Sequence, residues 1–197
     1  MHHASVDTDD RFIPLLDTIG NEQGDALISL AQRYSYVVPD ERSLSILAGV
    51  GPLVEIGAGT GYWAHRLRKR GVDIVAFDQA PPDGERTNRY HAKSPTWTEV
   101  IAGDQTILPA FSDRALLLCW PPVFSSLGDC LRYYTGNTVA VIGDGGHRTT
   151  RVHRLNATFT NVAVSPVRAL EPFPWVTPTL TIWRRKPRAD ASEHPRA

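Results

Sequence analysis

The sequence contains few of the residues that mark several common classes of protein. Among its 197 residues are only two cysteines and one methionine, and 21 Lys and Arg balance 21 Asp and Glu. Two cysteines cannot build a disulfide framework, and no group of Cys and His has the spacing of zinc ligands, so we expect no metal site. Zero net charge disfavours a nucleic-acid-binding protein, because such proteins usually carry a basic excess or a basic stripe.

Long hydrophobic runs are also missing. The longest ones, such as Ala115–Cys119, are far shorter than the roughly 18 residues that a membrane-spanning helix needs. The polar, acidic N-terminus lacks the apolar stretch of a signal peptide. We therefore expect a soluble, cytoplasmic protein in a reducing environment, with no membrane partner. Its length fits one domain with a sizeable core, and nothing in the sequence indicates the oligomeric state.

The N-terminal part of the chain is predicted to be helical. Residues 1–11 are small, polar and charged, and we expect them to be disordered, as we do the tail 186–197. Residues 12–49 are predicted to form a helical lid. Apolar residues of its first helix recur at helical spacing: Leu27, Leu30, Ala31 and Tyr34. A second helix is expected to begin near Pro39 and to end at Gly49.

Strands and helices alternate in the middle of the sequence. The predicted strands are Leu53–Ile56, Val72–Phe77, Val100–Ala102, Ala115–Cys119 and Thr138–Ile142. Helices are predicted at about Thr60–Arg70 and at Phe124–Tyr134, and this alternation favours a parallel sheet covered on both faces. Near the end, Asn161–Leu170 and Thr179–Arg184 are predicted to form an antiparallel pair at the sheet edge, because no helix fits between them.

The most specific motif is a glycine-rich loop directly after the first of these buried strands. It has the sequence Gly57-Ala58-Gly59-Thr60-Gly61, with Glu55 two residues before its first glycine. Glycines let the chain turn sharply out of the strand. They also let backbone N–H groups come close to a ligand, because no Cβ is in the way. Asp78 follows the next strand, where a carboxylate can accept hydrogen bonds from both hydroxyls of a ribose. A tight turn without a ligand, or an NAD-type fold, would give a similar pattern.

Together with Asp78, this loop resembles motif I and the following acid of class I S-adenosylmethionine (SAM)-dependent methyltransferases. The resemblance covers about residues 50–185. It implies an α/β, Rossmann-like fold: a seven-stranded, mostly parallel sheet with a C-terminal antiparallel hairpin and a helical N-terminal lid. It also implies SAM as the cofactor. The residues assigned to the cofactor by resemblance are Glu55, Gly57, Ala58, Gly59, Gly61, Tyr62, Asp78, Gln79, Gly103, Asp104, Cys119 and Trp120.

A Pro-Pro dipeptide follows the predicted strand Ala115–Cys119, in the sequence Trp120-Pro121-Pro122-Val123-Phe124. Amino-methyltransferases carry a polar residue before such a Pro-Pro and an aromatic residue directly after it. Here Trp120 and Val123 stand at those places, which disfavours methylation of nucleic-acid or protein amines by that mechanism. The prolines could still fix Trp120 near the methionine end of SAM, where an aromatic face attracts a sulfonium. Packing in the core is the alternative for Trp120.

Three residues are candidates for chemistry. His147 lies in a glycine-rich segment after the last parallel strand and is the best candidate for a general base, although an exposed loop histidine is the simpler interpretation. Tyr36, between the N-terminal helices, could stack on the sulfonium or contact a substrate, and Trp120 is the third candidate. The irregular loop Gln79–Thr98 is long enough to be functional. Its possible substrate contacts, each of which could also be structural, are Asn88, Tyr90, His91 and Trp97.

The resemblance implies a SAM-dependent methyltransferase. Few residues lie outside the predicted sheet domain, which favours a small-molecule acceptor held beneath the lid and the loop Gln79–Thr98. Two alternatives stay open. A methyltransferase-like enzyme could use SAM itself as a substrate, by intramolecular cyclisation or aminocarboxypropyl transfer, and release methylthioadenosine. A non-catalytic SAM-binding module would bind the cofactor without turnover.

Overall fold

The computed structural model of the chain describes residues 24–121, 126–144, 152–170 and 177–187. The predicted disorder of residues 1–11 and of nearly all of the tail lies outside these ranges. In chain order the helices are α1 (Gly24–Arg33), α2 (Glu41–Ala48), α3 (Tyr62–Arg68) and α4 (Ser126–Tyr133), with 3-10 helices at Gln105–Phe111 and Val152–Ala157. The strands are β1 (Val37–Val38), β2 (Leu53–Ile56), β3 (Ile74–Asp78), β4 (Ile101–Ala102), β5 (Ala115–Cys119), β6 (Thr138–Gly143), β7 (Phe159–Pro166), β8 (Arg168–Ala169) and β9 (Thr179–Arg185).

Seven strands form one sheet in the order β4-β3-β2-β5-β6-β9-β7. The pairs from β4 to β6 are parallel, whereas β9 runs antiparallel to both β6 and β7. The predicted α/β class, the mostly parallel sheet and the antiparallel C-terminal hairpin at its edge are therefore confirmed. β2 is an interior strand of the sheet, with β3 on one side and β5 on the other, so the glycine loop leaves the sheet between these two neighbours.

Most boundaries differ from the sequence-based prediction by one or two residues, and two of the differences have identifiable physical reasons. Helix α3 begins at Tyr62 rather than at Thr60, because Gly61 adopts a left-handed conformation with φ of 72°. The predicted strand Asn161–Leu170 is interrupted after Pro166, and its last part, β8, pairs antiparallel with β1 in a separate two-stranded ribbon. This ribbon attaches the segment after α1 to the C-terminal part of the chain.

Helix α2 is fixed at both ends by the residues that its sequence provides. The carboxylate of Asp40 accepts a hydrogen bond from the backbone N–H of Ser43 at 2.7 Å, which caps the N-terminus. Gly49 occupies the C-cap position, and its N–H bonds back to the last turn. The face of α2 that carries Leu44 and Leu47 is fully buried, so this helix packs onto the sheet.

Two apolar clusters cover the two faces of the sheet. On one face, residues of α2 and α3 such as Leu47, Trp63 and Leu67 pack against the strands. On the other face, Leu127 of α4 and Leu108 of the first 3-10 helix do the same. A third cluster joins α1 to Tyr34, Tyr62 and Leu170. Within the described ranges, none of the helices is both long and apolar enough to cross a membrane.

Candidate functional site

The candidate site lies where the central parallel strands end. β2 leads into the glycine loop, Asp78 is the last residue of β3, and β5 ends in Cys119 before Trp120. Because β2 pairs in parallel with both β3 and β5, these three ends share one edge of the sheet. Ligands of open parallel sheets bind outside the carboxyl ends of the strands, so this edge is the expected place for a ligand.

The glycine loop is a strained turn that only glycine accommodates well. Gly57, Gly59 and Gly61 have φ values of 75°, 55° and 72°, in the left-handed region. Four of the five loop N–H groups bond within the protein: those of Gly57 and Ala58 donate to the carbonyl of Phe77 at 2.9 and 3.0 Å, and those of Gly59 and Gly61 are also engaged. The loop therefore offers a ligand close approach rather than free donors.

The surroundings of the three glycines differ. Gly57 is exposed, and a Cβ placed on it would meet no atom of the described residues within 4 Å. At Gly61 a Cβ would come within 2.7 Å of Cγ2 of Val100, so that glycine is required for packing. At Gly59 a Cβ would overlap the imidazole of His91. Of the three positions, only the one at Gly57 is therefore open to a ligand in this conformation.

Asp78 links the glycine loop to the chain that follows β3. One of its carboxylate oxygens accepts a hydrogen bond from the N–H of Gly59 at 2.8 Å. The other accepts from the N–H of Ala80 at 2.9 Å and from the Asn88 amide at 3.4 Å. A carboxylate has about four acceptor sites, so Asp78 keeps capacity for a ligand hydroxyl. Gln79, the neighbouring residue, is exposed at the same edge.

Glu55 is a carboxyl group buried beneath the loop. It is 1 % exposed, and its Oε2 atom has no hydrogen-bond partner within the described part of the chain. Burial, together with the charge of Asp78, raises the pKa of Glu55 to about 8. A buried polar atom without a partner is costly, which is why it needs an explanation in a native fold. A donor supplied by a ligand would remove this cost.

Cys119 and Trp120 end the neighbouring strand β5. Burial and the nearby charge of Glu55 raise the pKa of the Cys119 thiol well above its usual value. A hydrogen bond with Ser35 lowers this pKa, but by less. A thiol held neutral in this way is a poor nucleophile. Trp120 has φ of 51°, which is an outlier for a bulky residue, and its N–H donates to the carbonyl of Ile142 at 2.8 Å. Such strained residues concentrate at functional sites.

The segment Gln79–Thr98, which we call the long loop, folds back over the glycine loop. Asn88 organises it: its side-chain oxygen accepts from the N–H groups of Tyr90 and His91 at 2.9 and 3.0 Å, and its amide donates to the carbonyl of Ala80 at 2.8 Å. The Tyr36 hydroxyl donates to the carbonyl of Tyr90 at 2.9 Å. Tyr36 is therefore placed against the long loop, with its hydroxyl engaged there.

The far end of the long loop is held by an aromatic cluster. The Trp97 ring stacks on Tyr34 with centroids 4.8 Å apart and meets the edge of Tyr62 at 5.1 Å. Its indole N–H donates to the carbonyl of Arg33 at 2.7 Å, and its backbone N–H donates to that of Thr60 at 2.8 Å. Tyr62 is 2 % exposed and packs within this cluster, so its described contacts are structural.

The remaining predicted residues fall at the border of the site or outside the described ranges. Gly103 lies after β4, where a Cβ would come within 2.9 Å of the Phe77 ring. The Asp104 carboxylate accepts from the backbone and hydroxyl of Thr106, which lowers its pKa and caps a 3-10 helix. His147, like Pro122 and Val123, lies outside the described residues. Within the described ranges, no three His, Cys, Asp or Glu side chains are grouped as metal ligands would be.

The structure brings Glu55, Gly57, Asp78, Cys119 and Trp120 to one edge of the sheet. His91 also belongs to this edge, where it sits against Gly59. The sequence named it only as one of four possible contacts in an irregular loop. Hydrophobic periodicity could not have placed His91, since the long loop has no regular secondary structure. The only sequence signal was the glycine at position 59, which leaves space for a close neighbour.

The strand order, the glycine loop and the acid at the end of β3 define the class of fold. It is the Rossmann-like fold of class I SAM-dependent methyltransferases, as the resemblance implied, and similarity to solved structures confirms it. No protein-family model matches the sequence, and no curated protein matches it either. The identification therefore rests on three-dimensional similarity and is an identification of the fold.

Three solved structures of two proteins illustrate this similarity. Magnesium protoporphyrin IX methyltransferase from Synechocystis PCC 6803, with bound S-adenosylhomocysteine, matches with a TM-score of 0.52 and 8 % identity, over 89 % of this chain and 93 % of that one. The same enzyme with bound SAM matches with a TM-score of 0.50. The protein Thermoplasma acidophilum 1320 matches with a TM-score of 0.50 and 16 % identity, over 85 % of this chain and 98 % of that one.

Proposed function

We propose that this protein is a SAM-dependent transferase that methylates a small-molecule acceptor. The observation that carries the proposal is a combination of three features at one sheet edge. They are an open Gly57, a buried Glu55 with an oxygen that has no partner among the described residues, and Asp78 at the end of the adjacent strand. The fold of the chain is one whose solved examples hold SAM and S-adenosylhomocysteine. These features support SAM as the cofactor.

The residues at this edge fit the polar groups of SAM. Glu55 Oε2 has no hydrogen-bond partner in the described part of the chain, and the α-ammonium group of SAM would supply one. Asp78 keeps acceptor capacity for ribose hydroxyls, and the absent side chain at Gly57 allows close approach to the backbone. Ala58, Gln79, Gly103 and Asp104 stay candidates for contacts around the cofactor. SAM supplies an electrophilic methyl group on a sulfonium, which an acceptor oxygen, nitrogen or sulfur attacks.

The chain itself would contribute alignment and exclusion of water. Trp120 is fixed in an unusual backbone conformation beside the site, and its aromatic face is suited to a cationic neighbour. Tyr36 lies against the long loop and stays a candidate substrate contact once that loop moves. His147 stays the candidate general base. The zero net charge of the chain supports a small-molecule acceptor over RNA, because phosphate contacts need basic residues.

The test is mass spectrometry of SAM incubated with the purified protein. One sample has no acceptor, one has a small-molecule extract and one has RNA. The proposal predicts S-adenosylhomocysteine in the sample with the small-molecule extract. Production only with RNA would contradict the small-molecule acceptor. Methylthioadenosine without any acceptor would favour the enzyme that consumes SAM itself, and binding without any product would favour a non-catalytic module.

A further inference from the structure

The contact between Gly59 and the imidazole of His91 affects how a cofactor can reach the glycine loop. The missing side chain of a glycine in such a loop usually leaves room for a ligand, but at Gly59 that room is filled by the chain's own His91. The tip of the imidazole, at Nε2, is the part that faces Gly59. A ligand that approaches the loop backbone at this position must first displace the ring.

Several contacts hold the imidazole in this place. Nδ1 is 2.8 Å from the carbonyl of Gln32, and since a carbonyl only accepts, Nδ1 carries the proton. The neutral ring then turns an unprotonated Nε2 toward Gly59. The backbone N–H of His91 donates to Asn88, and the ring packs edge-on against Tyr36 at 5.6 Å between centroids. His91 is thus oriented from both sides, and its position does not depend on a single bond.

Asp78 and Asn88 connect this arrangement to the candidate ribose site. Asn88 lies between the carboxylate of Asp78 and the backbone of His91, and it contacts both. Asp78 in turn binds the N–H of Gly59. The residue that would receive the ribose is therefore part of the same hydrogen-bond network that seats the long loop. A ligand that competes for Asp78 would also weaken the attachment of that loop.

We infer that the long loop is an autoinhibitory plug, in which His91 occupies the cofactor-facing side of Gly59 and must leave it before SAM binds. The inference rests on the proposed function, because it concerns the entry of that cofactor. The apparent affinity is the intrinsic affinity multiplied by the fraction of molecules in the open state. The plug therefore lowers the affinity for SAM, and any partner or substrate that opens the long loop raises it.

The test compares His91→Ala with Arg86→Ala, an exposed residue of the same loop that serves as the matched control. SAM binding is measured by isothermal titration calorimetry. Exchange of the backbone amides of residues 79–98 is followed by mass spectrometry without ligand. We expect His91→Ala to bind SAM at least about fivefold more tightly. The substitution removes a hydrogen bond and packing contacts of the closed loop, so a larger fraction of molecules is open. We also expect faster exchange in the loop, with Arg86→Ala unchanged in both.

Equal or weaker SAM binding by His91→Ala would overturn the plug and would make His91 an ordinary structural or ligand-contacting residue. If neither the wild type nor His91→Ala binds SAM, the proposed function fails. The exchange measurement still decides the seating of the loop in that case. Unchanged exchange in His91→Ala would show that His91 does not hold the loop, and faster exchange would support the contact.

Discussion

The carboxylate of Asp78 accepts a hydrogen bond from the backbone N–H of Gly59 at 2.8 Å. This bond joins the end of β3 to the loop that follows β2, and it fixes the two features by which the site was first located in the sequence. It also places a charged group directly beside a left-handed glycine. The geometry of the loop and the position of the acid are therefore one structural unit.

Gly57 and Gly71 allow a controlled test of the loop. Both have φ of 75°, and a Cβ on either would meet no atom within 4 Å among the residues that the structure describes, but Gly71 lies beyond the far end of α3. Alanine at either position should destabilise the fold by about 1–2 kcal/mol, through left-handed strain alone. Only Gly57→Ala should also weaken SAM binding, measured by calorimetry. Equal binding by the two variants would place the cofactor elsewhere.

Glu55 predicts an unusual pH dependence of stability. Its pKa in the folded protein is about 8, against an ordinary value of 4.5, so between these pH values the folded state binds a proton that the unfolded state does not. Stability from this group is therefore greatest below pH 4.5 and is lost as the pH rises toward 8. The slope is at most about 1.4 kcal/mol per pH unit.

The matched variant is Glu55→Gln, which keeps the shape and removes the titration. Denaturant unfolding of both proteins between pH 5 and pH 8 should show the wild type losing up to roughly 4 kcal/mol relative to the variant. Other titrating groups are shared by both proteins and cancel in the difference. A difference that stays constant across this pH range would mean that Glu55 is ionised in the folded state.

Trp97→Phe should loosen the long loop. The substitution removes the hydrogen bond from the indole to the Arg33 carbonyl and should cost about 1 kcal/mol of stability. Trp183→Phe is the control, since its indole donates to the Thr181 hydroxyl in the C-terminal hairpin. Both variants should lose similar stability in thermal unfolding. Faster amide exchange of residues 79–98 is expected for Trp97→Phe alone, and faster exchange in both would indicate a global effect.

The parts of the fold that could be predicted from the sequence are those with local causes. The sequence predicts strands β2 and β5 at their observed boundaries, because short apolar runs end there in glycine or in Trp-Pro. The ribbon of β1 and β8 could not be predicted, because two-residue strands have no periodicity and their pairing joins distant parts of the chain. For the same reason, the interruption of the predicted strand Asn161–Leu170 after Pro166 could not be predicted.

The site shows the same division. The spacing of Glu55, Gly57 and Asp78 in the sequence predicts that they lie together, and the structure places them at one edge of the sheet. The contact between His91 and Gly59 could not be deduced, since it depends on the path of an irregular loop. The left-handed conformation of Trp120 was equally inaccessible, because nothing in the sequence before Pro121 requires it. Tertiary contacts, rather than local preferences, set both features.

The most direct test of the account is the affinity of SAM for the wild type, Asp78→Ala and Asp113→Asn, measured by calorimetry. Asp113 is an exposed acid before β5, at the opposite edge of the sheet. Each acid variant is also measured in a His91→Ala background, where loosening of the long loop cannot mask a lost contact. We expect at least about tenfold weaker binding for Asp78→Ala and no change for Asp113→Asn. Unchanged affinity in Asp78→Ala would contradict the assignment of this edge as the cofactor site.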